Sequence, residues 1–472
     1  MKWLSLDLLL ELLEREIAIL RKHALFVGRL ALALVASASM WFYMNHILVV
    51  QQVVDAAAHG RPRGNLSDLY PRWLGTRELL RRGRNPYSDE ITREIQQGYY
   101  GRPIDPARPD DPRDRQGFAY PVYVVFLLAP TIDLPFETVR IAFRWLLVGL
   151  AVGSVLLWLR VLRWRASFGT VLVLVVLMLG WLPVVQGLKL QQLSLLVVAL
   201  LAASGACLTG GWLFLAGGLL ALATIKPQLT WPLVLWLLVW AGSQWRSRWR
   251  FVFGFGLGML LLLGGAELVL PGWLRMFVDA IGQYHQYTQN QSLLTSLFGS
   301  IAGVALGVLS FCGCAFCLWR ARLEPASSAA FGRCFALVLA LTVVIVPMSA
   351  LYNQVLLAPA ILALVWSSSS GEMLLPSVRV ARLVGAILLV WPWIATTGLS
   401  LASGWLTQAS RERLWPMPFY ASYMLPVFVF GLVLLHTWMN LTSMSQSAMS
   451  QSAVSQPAMS QPRTLRESAP TE

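Results

Sequence analysis

Two ionisable residues lie in or beside strongly apolar segments, where a charge is costly to bury. Asp68 stands between two leucines soon after the first long apolar run. A carboxylate there could act as a general base or bind a hydroxyl group. Asp is also a favoured N-cap, so Asp68 could equally begin the helix predicted over Tyr70–Arg82. Lys226 lies between two apolar stretches and precedes a proline; an ionisable residue at that depth indicates a function, and snorkelling to the interface explains it equally well.

Further polar and aromatic residues lie at the ends of other apolar stretches. His285 and Asn290 are in a short polar loop, where the histidine could bind phosphate or transfer a proton, or belong to an interfacial aromatic patch. Gln192 could contact a ligand or hydrogen-bond to a neighbouring helix. Tyr120 could be an interfacial anchor, and Tyr352 interrupts an apolar run.

The composition places these residues in a membrane protein. Of the 472 residues, 57% are hydrophobic and 13% are charged, about half the charged fraction of a soluble domain. An ordinary soluble enzyme and a largely disordered chain are therefore excluded. The net charge of +14 does not indicate nucleic-acid binding, because apolar runs separate the arginines. The five cysteines lie in apolar stretches and predict neither a disulfide framework nor a metal site, and no cofactor-binding motif is present.

The hydropathy pattern predicts an all-α polytopic protein with about 12 transmembrane helices. A span needs about 20 apolar residues, and the stretch 118–130 is too short, so we expect it to be re-entrant or interfacial. The segments that qualify or nearly qualify are 25–50, 137–160, 168–186, 190–208, 212–225, 228–242, 250–270, 293–319, 331–347, 351–366, 381–402 and 417–439.

Three regions flank or interrupt this bundle. Residues 1–23 predict a cytoplasmic amphipathic helix at the membrane surface. Residues 51–117 form a large polar loop after the first span, and its many arginines match phosphate geometry, so that one or two could hold an anionic lipid head. Residues 441–472 contain a Ser/Gln/Ala repeat that cannot form a core, which predicts a disordered cytoplasmic tail. The bundle itself comprises residues 24–440.

Arginine clusters predict the orientation of the spans. The clusters at 160–165, 246–250, 320–322 and 379–382 are separated by even numbers of predicted spans. They therefore share one side, which the positive-inside rule makes cytoplasmic. Both termini are then cytoplasmic, and the candidate residues gather at the external face of the cell membrane.

The order of short motifs resembles glycosyltransferase family 87, a family of multi-spanning enzymes with the GT-C fold. The chain has D-x-Y at Asp68–Tyr70, G-x-N-P-Y at Gly83–Tyr87, F-x-Y-P at Phe118–Pro121 and Lys226-Pro227-Gln228, in that order. There are two departures from the pattern. The family's Gly-Gln-x-Asn run is Gln191-Gln192-Leu193-Ser194 here, and the second proline of its Y-P-P motif is Val122.

The resemblance implies an activity, substrates and site residues. We expect residues 24–440 to be a catalytic domain that transfers a mannosyl-like hexosyl residue from a polyprenyl-phosphate sugar to a lipid-linked or glycan acceptor, with inversion and with Asp68 as the base. Lys226, His285 or a loop arginine would stabilise the leaving lipid phosphate. The partners would be these substrates and membrane lipids, with no nucleic acid, cofactor or metal. The expected substrate-binding residues are Tyr70, Asn85, Tyr87, Tyr120, Gln192, Lys226, His285, Asn290 and Tyr352.

Other functional classes fit parts of the pattern. A transporter or flippase of lipid-linked glycans would also have about twelve spans with a buried lysine and proline-broken helices. A structural or assembly protein would bind lipid-linked intermediates without chemistry. A polymerase or ligase of lipid-linked glycans would share the external site, but with its large loop late in the chain.

Overall fold

The protein is all-helical in a computed structural model, which describes residues 6–61, 67–287, 291–347, 350–368 and 376–454. No β-strand occurs in these ranges, and a single isolated bridge joins Ser292 to Pro347. Asn290 and residues 455–472 of the predicted tail lie outside them.

Twenty α-helices follow one another along the described chain, with short 3₁₀ or π segments between some of them. The first ten are α1 (Leu6–Tyr43), α2 (Val49–Ala58), α3 (Tyr70–Arg82), α4 (Asp89–Tyr100), α5 (Val124–Leu128), α6 (Phe136–Val161), α7 (Phe168–Leu179), α8 (Leu182–Lys189), α9 (Leu193–Thr209) and α10 (Leu213–Ala223). The others are α11 (Pro227–Ser243), α12 (Trp245–Val269), α13 (Trp273–Tyr287), α14 (Leu293–Phe298), α15 (Ser300–Arg320), α16 (Ala329–Ile345), α17 (Ala358–Ser368), α18 (Pro376–Ala402), α19 (Gln408–Leu414) and α20 (Leu425–Val454).

The helices identify a multi-pass membrane protein. Each of the twelve predicted apolar segments contains helix. Within the described residues, six helices are long and apolar enough to cross a membrane, or seven if α7 and α8, which meet at 56°, form one bent span. The remaining apolar helices, including α9, α10 and α16, are shorter than a full span.

Small residues allow α10 and α12 to pack closely. A Cβ atom added at Gly217 would overlap the carbonyl oxygen of Phe251, and one added at Gly254 would overlap that of Phe214. Within a membrane, helix association depends on such close backbone approach, because lipid and apolar side chains are equally apolar.

The predicted loop 51–117 is partly helical. Its first residues continue the first helix through a π-helical turn into α2, and Arg61 ends the described part before the gap. Helix α3 has the predicted bounds, because Gly83 adopts φ +64° at its C-cap. Ser88 then caps α4 by accepting from the Ile91 amide at 3.3 Å.

The structure differs from three further sequence-based expectations. Asp68 is not the N-cap of α3, because Leu69 occupies that position and makes no side-chain cap. Helix α1 crosses the predicted boundary at residue 23 without a break, and α20 continues past residue 440 to Val454. Neither boundary has a proline that would end the helix. The stretch 118–130 contains only the short helix α5, whose valines are buried in the core.

Candidate functional site

Asp68 lies just before α3 and is hydrogen-bonded to the turn between α8 and α9. Its backbone amide donates to the Leu190 carbonyl at 3.0 Å, and the Ser67 hydroxyl donates to the same oxygen at 3.3 Å. The Tyr99 hydroxyl, on α4, donates to Asp68 Oδ1 at 3.2 Å, and Gln192 Nε2 donates to Asp68 Oδ2. Each carboxylate oxygen is thereby oriented and keeps capacity to accept another hydrogen bond.

The amide of Gln192 connects Asp68 to Lys226. Gln192 Oε1 accepts from Lys226 Nζ at 2.8 Å, while its Nε2 donates to Asp68. Lys226 Nζ also donates to Ser194 Oγ at 2.7 Å, and Ser194 Oγ donates to Asn353 Oδ1 at 2.7 Å. Lys226 is only 4% exposed. The acid and the ammonium group thus belong to one hydrogen-bonded network without a direct ion pair.

The α8–α9 turn departs from the family pattern in its side chains and keeps a backbone conformation that suits glycine. Gln191, at the position of the pattern's glycine, adopts φ +48°, which glycine adopts without strain. Its Nε2 donates to the carbonyls of Leu188 and Lys189 at 2.6 and 2.9 Å. Ser194 stands at the position of the asparagine and bonds to Lys226. Both residues therefore make hydrogen bonds at or next to this turn.

A cavity of about 230 Å³ lies beside this network. Its polar wall carries two cationic side chains and three tyrosines. The guanidinium carbon of Arg72 lies 4.4 Å from the centre of the Tyr120 ring. Lys226 Nζ lies 5.6 Å from that ring centre and 5.1 Å from that of Tyr352. The polar lining comprises Arg72, Tyr120, Gln192, Lys226, Gln228, Tyr284, Tyr352 and Asn353.

Arg72 has unused hydrogen-bonding capacity at the cavity. Its NH1 group donates to the Asp68 carbonyl at 2.6 Å. Its Nε is buried and has no hydrogen-bond partner among the described residues. A buried donor without a partner in a native fold calls for a ligand or ordered water, and a guanidinium suits the oxygens of a carboxylate or phosphate.

Two phenols of the site remain protonated at ordinary pH. Burial raises the pKa of Tyr120 to about 12. Burial also raises the pKa of Tyr99 well above its usual value, and the negative charge of Asp68 raises it further. Tyr99 therefore acts toward Asp68 as a neutral hydrogen-bond donor.

The structure brings four of the expected binding residues to the cavity: Tyr120, Gln192, Lys226 and Tyr352. The backbone of His285 lies on α13 beside Tyr284, which does line the cavity, while the His285 side chain is outside the described part of the structure.

Three other expected residues make contacts within the protein and do not line this cavity. Asn85 Oδ1 accepts from the Tyr87 amide at 2.9 Å and so closes a turn. The Tyr87 hydroxyl donates to the Tyr120 carbonyl at 2.6 Å and thereby fixes a cavity residue. Tyr70 packs on Phe136, with ring centres 4.9 Å apart, and against Gly98.

Sequence reasoning missed Tyr99 and Asp114. Tyr99 follows an unremarkable stretch of α4, and no motif marks it. Asp114 lies close enough to Asp68 to feel its charge, and burial raises the pKa of the Asp114 carboxyl. Its oxygens accept from the backbone amide and the side-chain Nε2 of Gln116 at 3.0 and 2.8 Å. Within the described residues, no cluster of His, Cys, Asp or Glu could hold a metal ion.

Comparison with known proteins gives one match. The model of glycosyltransferase family 87 matches residues 118–347, a range that includes Tyr120, Gln192 and Lys226 and begins after Asp68. No curated protein matches the chain, and no solved structure matches it. The chain is thus a multi-pass membrane protein that contains a glycosyltransferase family 87 domain at residues 118–347, and this domain indicates a glycosyltransferase.

Proposed function

We propose that the chain transfers a mannosyl-like hexosyl residue from a polyprenyl-phosphate sugar to a lipid-linked or glycan acceptor, with inversion at the anomeric carbon. The reaction takes place at the extracytoplasmic face of the cell membrane, with Asp68 as the general base. The observation that carries this proposal is the network in which Gln192 joins Asp68 to Lys226 at the edge of a cavity with two cationic side chains.

Asp68 has the contacts expected of a positioned base. Tyr99 and Gln192 fix its carboxylate without neutralising it, and an oriented carboxylate can accept the proton of a hydroxyl nucleophile. The acceptor oxygen forms a bond to the anomeric carbon as its proton passes to Asp68. The bond between that carbon and the phosphate oxygen breaks, and the lipid phosphate leaves with the electron pair.

Arg72 and Lys226 suit the phosphate end of such a donor. The leaving lipid phosphate gains negative charge in the transition state, and preorganised cationic donors in a largely dry site stabilise that charge. Arg72 offers its unpartnered Nε, and Lys226 lines the same cavity. The remainder of the wall includes Phe277, Ile281 and Val346, an apolar surface that fits the first isoprene units of a lipid chain.

The test is transfer from defined donors by purified protein in lipid vesicles. Wild type and Asp68→Asn are incubated with labelled polyprenyl-phosphate mannose or polyprenyl-phosphate glucose and a polar-lipid extract of the producing cells. We expect wild type to transfer one of these sugars and Asp68→Asn to lose at least about 10²-fold in rate, the usual scale for loss of a general base.

Asp55→Asn is the matched control, because Asp55 lies on α2 with an exposed side chain and outside the cavity lining. It should transfer at the wild-type rate. Retention of the wild-type rate by Asp68→Asn would refute the role of Asp68. Movement of the labelled donor across the vesicle without any new glycosidic product would favour a flippase.

A further inference from the structure

A second cavity of about 460 Å³ is lined by none of the residues used above. Three amide side chains reach it from different elements: Gln52 from α2, Gln186 from α8, and Gln354 from the 3₁₀ segment Leu351–Leu357. Its remaining wall is aromatic, with Trp415, Phe419, Tyr420 and Tyr423 from the segment that precedes α20.

The two cavities are lined by the same or adjoining elements, and one of these elements contacts Asp68. Helix α8 contributes Gln186 to the second cavity, and the turn that follows it contributes Gln192 to the first. The 3₁₀ segment likewise contributes Tyr352 to the first and Gln354 to the second. Asp68 bonds to this turn through the Leu190 carbonyl, and its carboxylate accepts from Gln192, which lines the first cavity.

Polar groups of the second cavity are fixed, and one is unsatisfied. Gln354 Nε2 donates to the Ser422 carbonyl at 2.6 Å in a buried contact. The Tyr43 hydroxyl donates to the Trp415 carbonyl at 2.6 Å, which secures the aromatic wall. Gln186 Oε1 is buried and has no hydrogen-bond partner among the described residues. Such an acceptor in a cavity wall needs a donor from a ligand or water.

The chemistry of the second cavity differs from that of the first. None of the described residues that line it is a Lys or Arg, and the Lys189 ammonium group is engaged by Gln52 Oε1, to which it donates. Amides bond to hydroxyl groups in both directions, and aromatic rings pack against the apolar faces of sugar rings. In an inverting transfer the acceptor attacks the anomeric carbon from the side opposite the leaving phosphate. The acceptor must therefore enter from the side away from Arg72 and Lys226.

We propose that the second cavity binds the glycan part of the acceptor, with Gln186 accepting a hydrogen bond from a sugar hydroxyl and Tyr420 stacking on a ring. This inference rests on the proposed function and assigns its acceptor side. The attacking hydroxyl reaches Asp68 from this cavity, gives its proton to the carboxylate and bonds to the anomeric carbon of the donor held in the first cavity.

The experiment separates the two substrates kinetically. Transfer is measured in lipid vesicles while either the labelled polyprenyl-phosphate sugar or the polar-lipid extract that supplies acceptors is varied. Gln186→Ala should raise the amount of extract that gives the half-maximal rate about tenfold, the effect of one lost hydrogen bond. It should change the apparent KM for the donor less than twofold. Gln97→Ala, an exposed glutamine on α4, is the matched control and should change neither value.

Tyr420 gives a second, independent variant that keeps the test valid if Gln186→Ala folds poorly. Its side chain is 60% exposed, so truncation leaves no core cavity. Tyr420→Ala should also raise the half-maximal extract selectively, and Tyr420→Phe should restore the wild-type value. A shift in donor KM, or no shift in either substrate, would overturn the acceptor site.

These results are distinct from the test of Asp68. The KM comparison uses variants that retain the base, so it stands whatever Asp68→Asn shows. A wild-type protein that transferred no sugar from either donor would refute the proposed function and the acceptor site together.

Discussion

Replacing Lys226 with Met tests whether the buried ammonium group stabilises the leaving phosphate. The unbranched side chain of Met fills nearly the same space without a charge. Two unit charges about 4 Å apart interact by about 4 kcal/mol at an effective dielectric constant near 20. Only the charge gained in the transition state affects kcat, and Arg72 and the wider site share it. We therefore expect Lys226→Met to raise the activation free energy by about 2–4 kcal/mol. This rise corresponds to a fall in kcat of roughly 30- to 10³-fold.

The effect of Lys226→Met on folding should be much smaller than its effect on rate. The variant leaves Gln192 Oε1 and Ser194 Oγ without their ammonium donor, which costs about 1–3 kcal/mol for each buried group that stays unpaired. Removing a desolvated charge offsets part of that loss. The variant should fold in membranes with a modestly lower Tm, and its KM for the donor should rise because the bound donor already carries phosphate charge.

The assay is initial-rate transfer in lipid vesicles, together with thermal unfolding of the same preparation in detergent. Ser194→Ala is the matched control, because it removes one partner of Lys226 and leaves the charge in place. It should retain most of kcat. A kcat for Lys226→Met within threefold of wild type, in a protein with a wild-type Tm, would refute the electrostatic role of Lys226.

Two further predictions concern stability. Gly217→Ala should lower the free energy of unfolding by about 1–3 kcal/mol, because the added Cβ meets the Phe251 carbonyl. Gly218→Ala is the control, because a Cβ added there has open space around it, and it should leave the free energy of unfolding unchanged. Equal Tm values for the two variants would contradict this packing. Burial raises the pKa of Asp114 above its unfolded value of 3.8, so that stability falls as pH rises from 3.8 through the folded pKa. Asp114→Asn should remove this loss of stability, so that Tm falls less between pH 4 and pH 7 in the variant than in wild type. The same fall in Tm in both proteins would refute the role of Asp114.

Local signals determined much of the helical framework. The bounds of α3 follow from its periodic pattern and from Gly83, whose left-handed conformation ends the helix. The apolar segments likewise predicted where helices occur, because burying backbone in lipid requires internal hydrogen bonds. The hydropathy pattern did not predict the number of membrane-crossing helices as well, because α9 and α10 are apolar but shorter than a full span.

The site depends on contacts between distant parts of the chain. Asp68 and Gln192 are separated by 124 positions, and Gln192 and Lys226 by 34. Sequence alone marked these three residues as unusual in apolar surroundings, but it left helix capping by Asp68, helix pairing through Gln192 and snorkelling of Lys226 as open explanations. Packing of the turn after α8 against the turn after α10 brings the acid, the amide and the ammonium group together.

The sequence by itself determined that this is a helical membrane protein with polar residues placed at the ends of its apolar segments, since composition and periodicity express the cost of burying charge and backbone. Only the tertiary structure decided which of those residues meet. Tyr70 and Asn85 have packing and turn contacts, whereas Tyr99, unmarked by any motif, bonds to Asp68. The physical reason is that a hydrogen bond needs two groups about 3 Å apart, and helix packing alone sets that distance across a long chain.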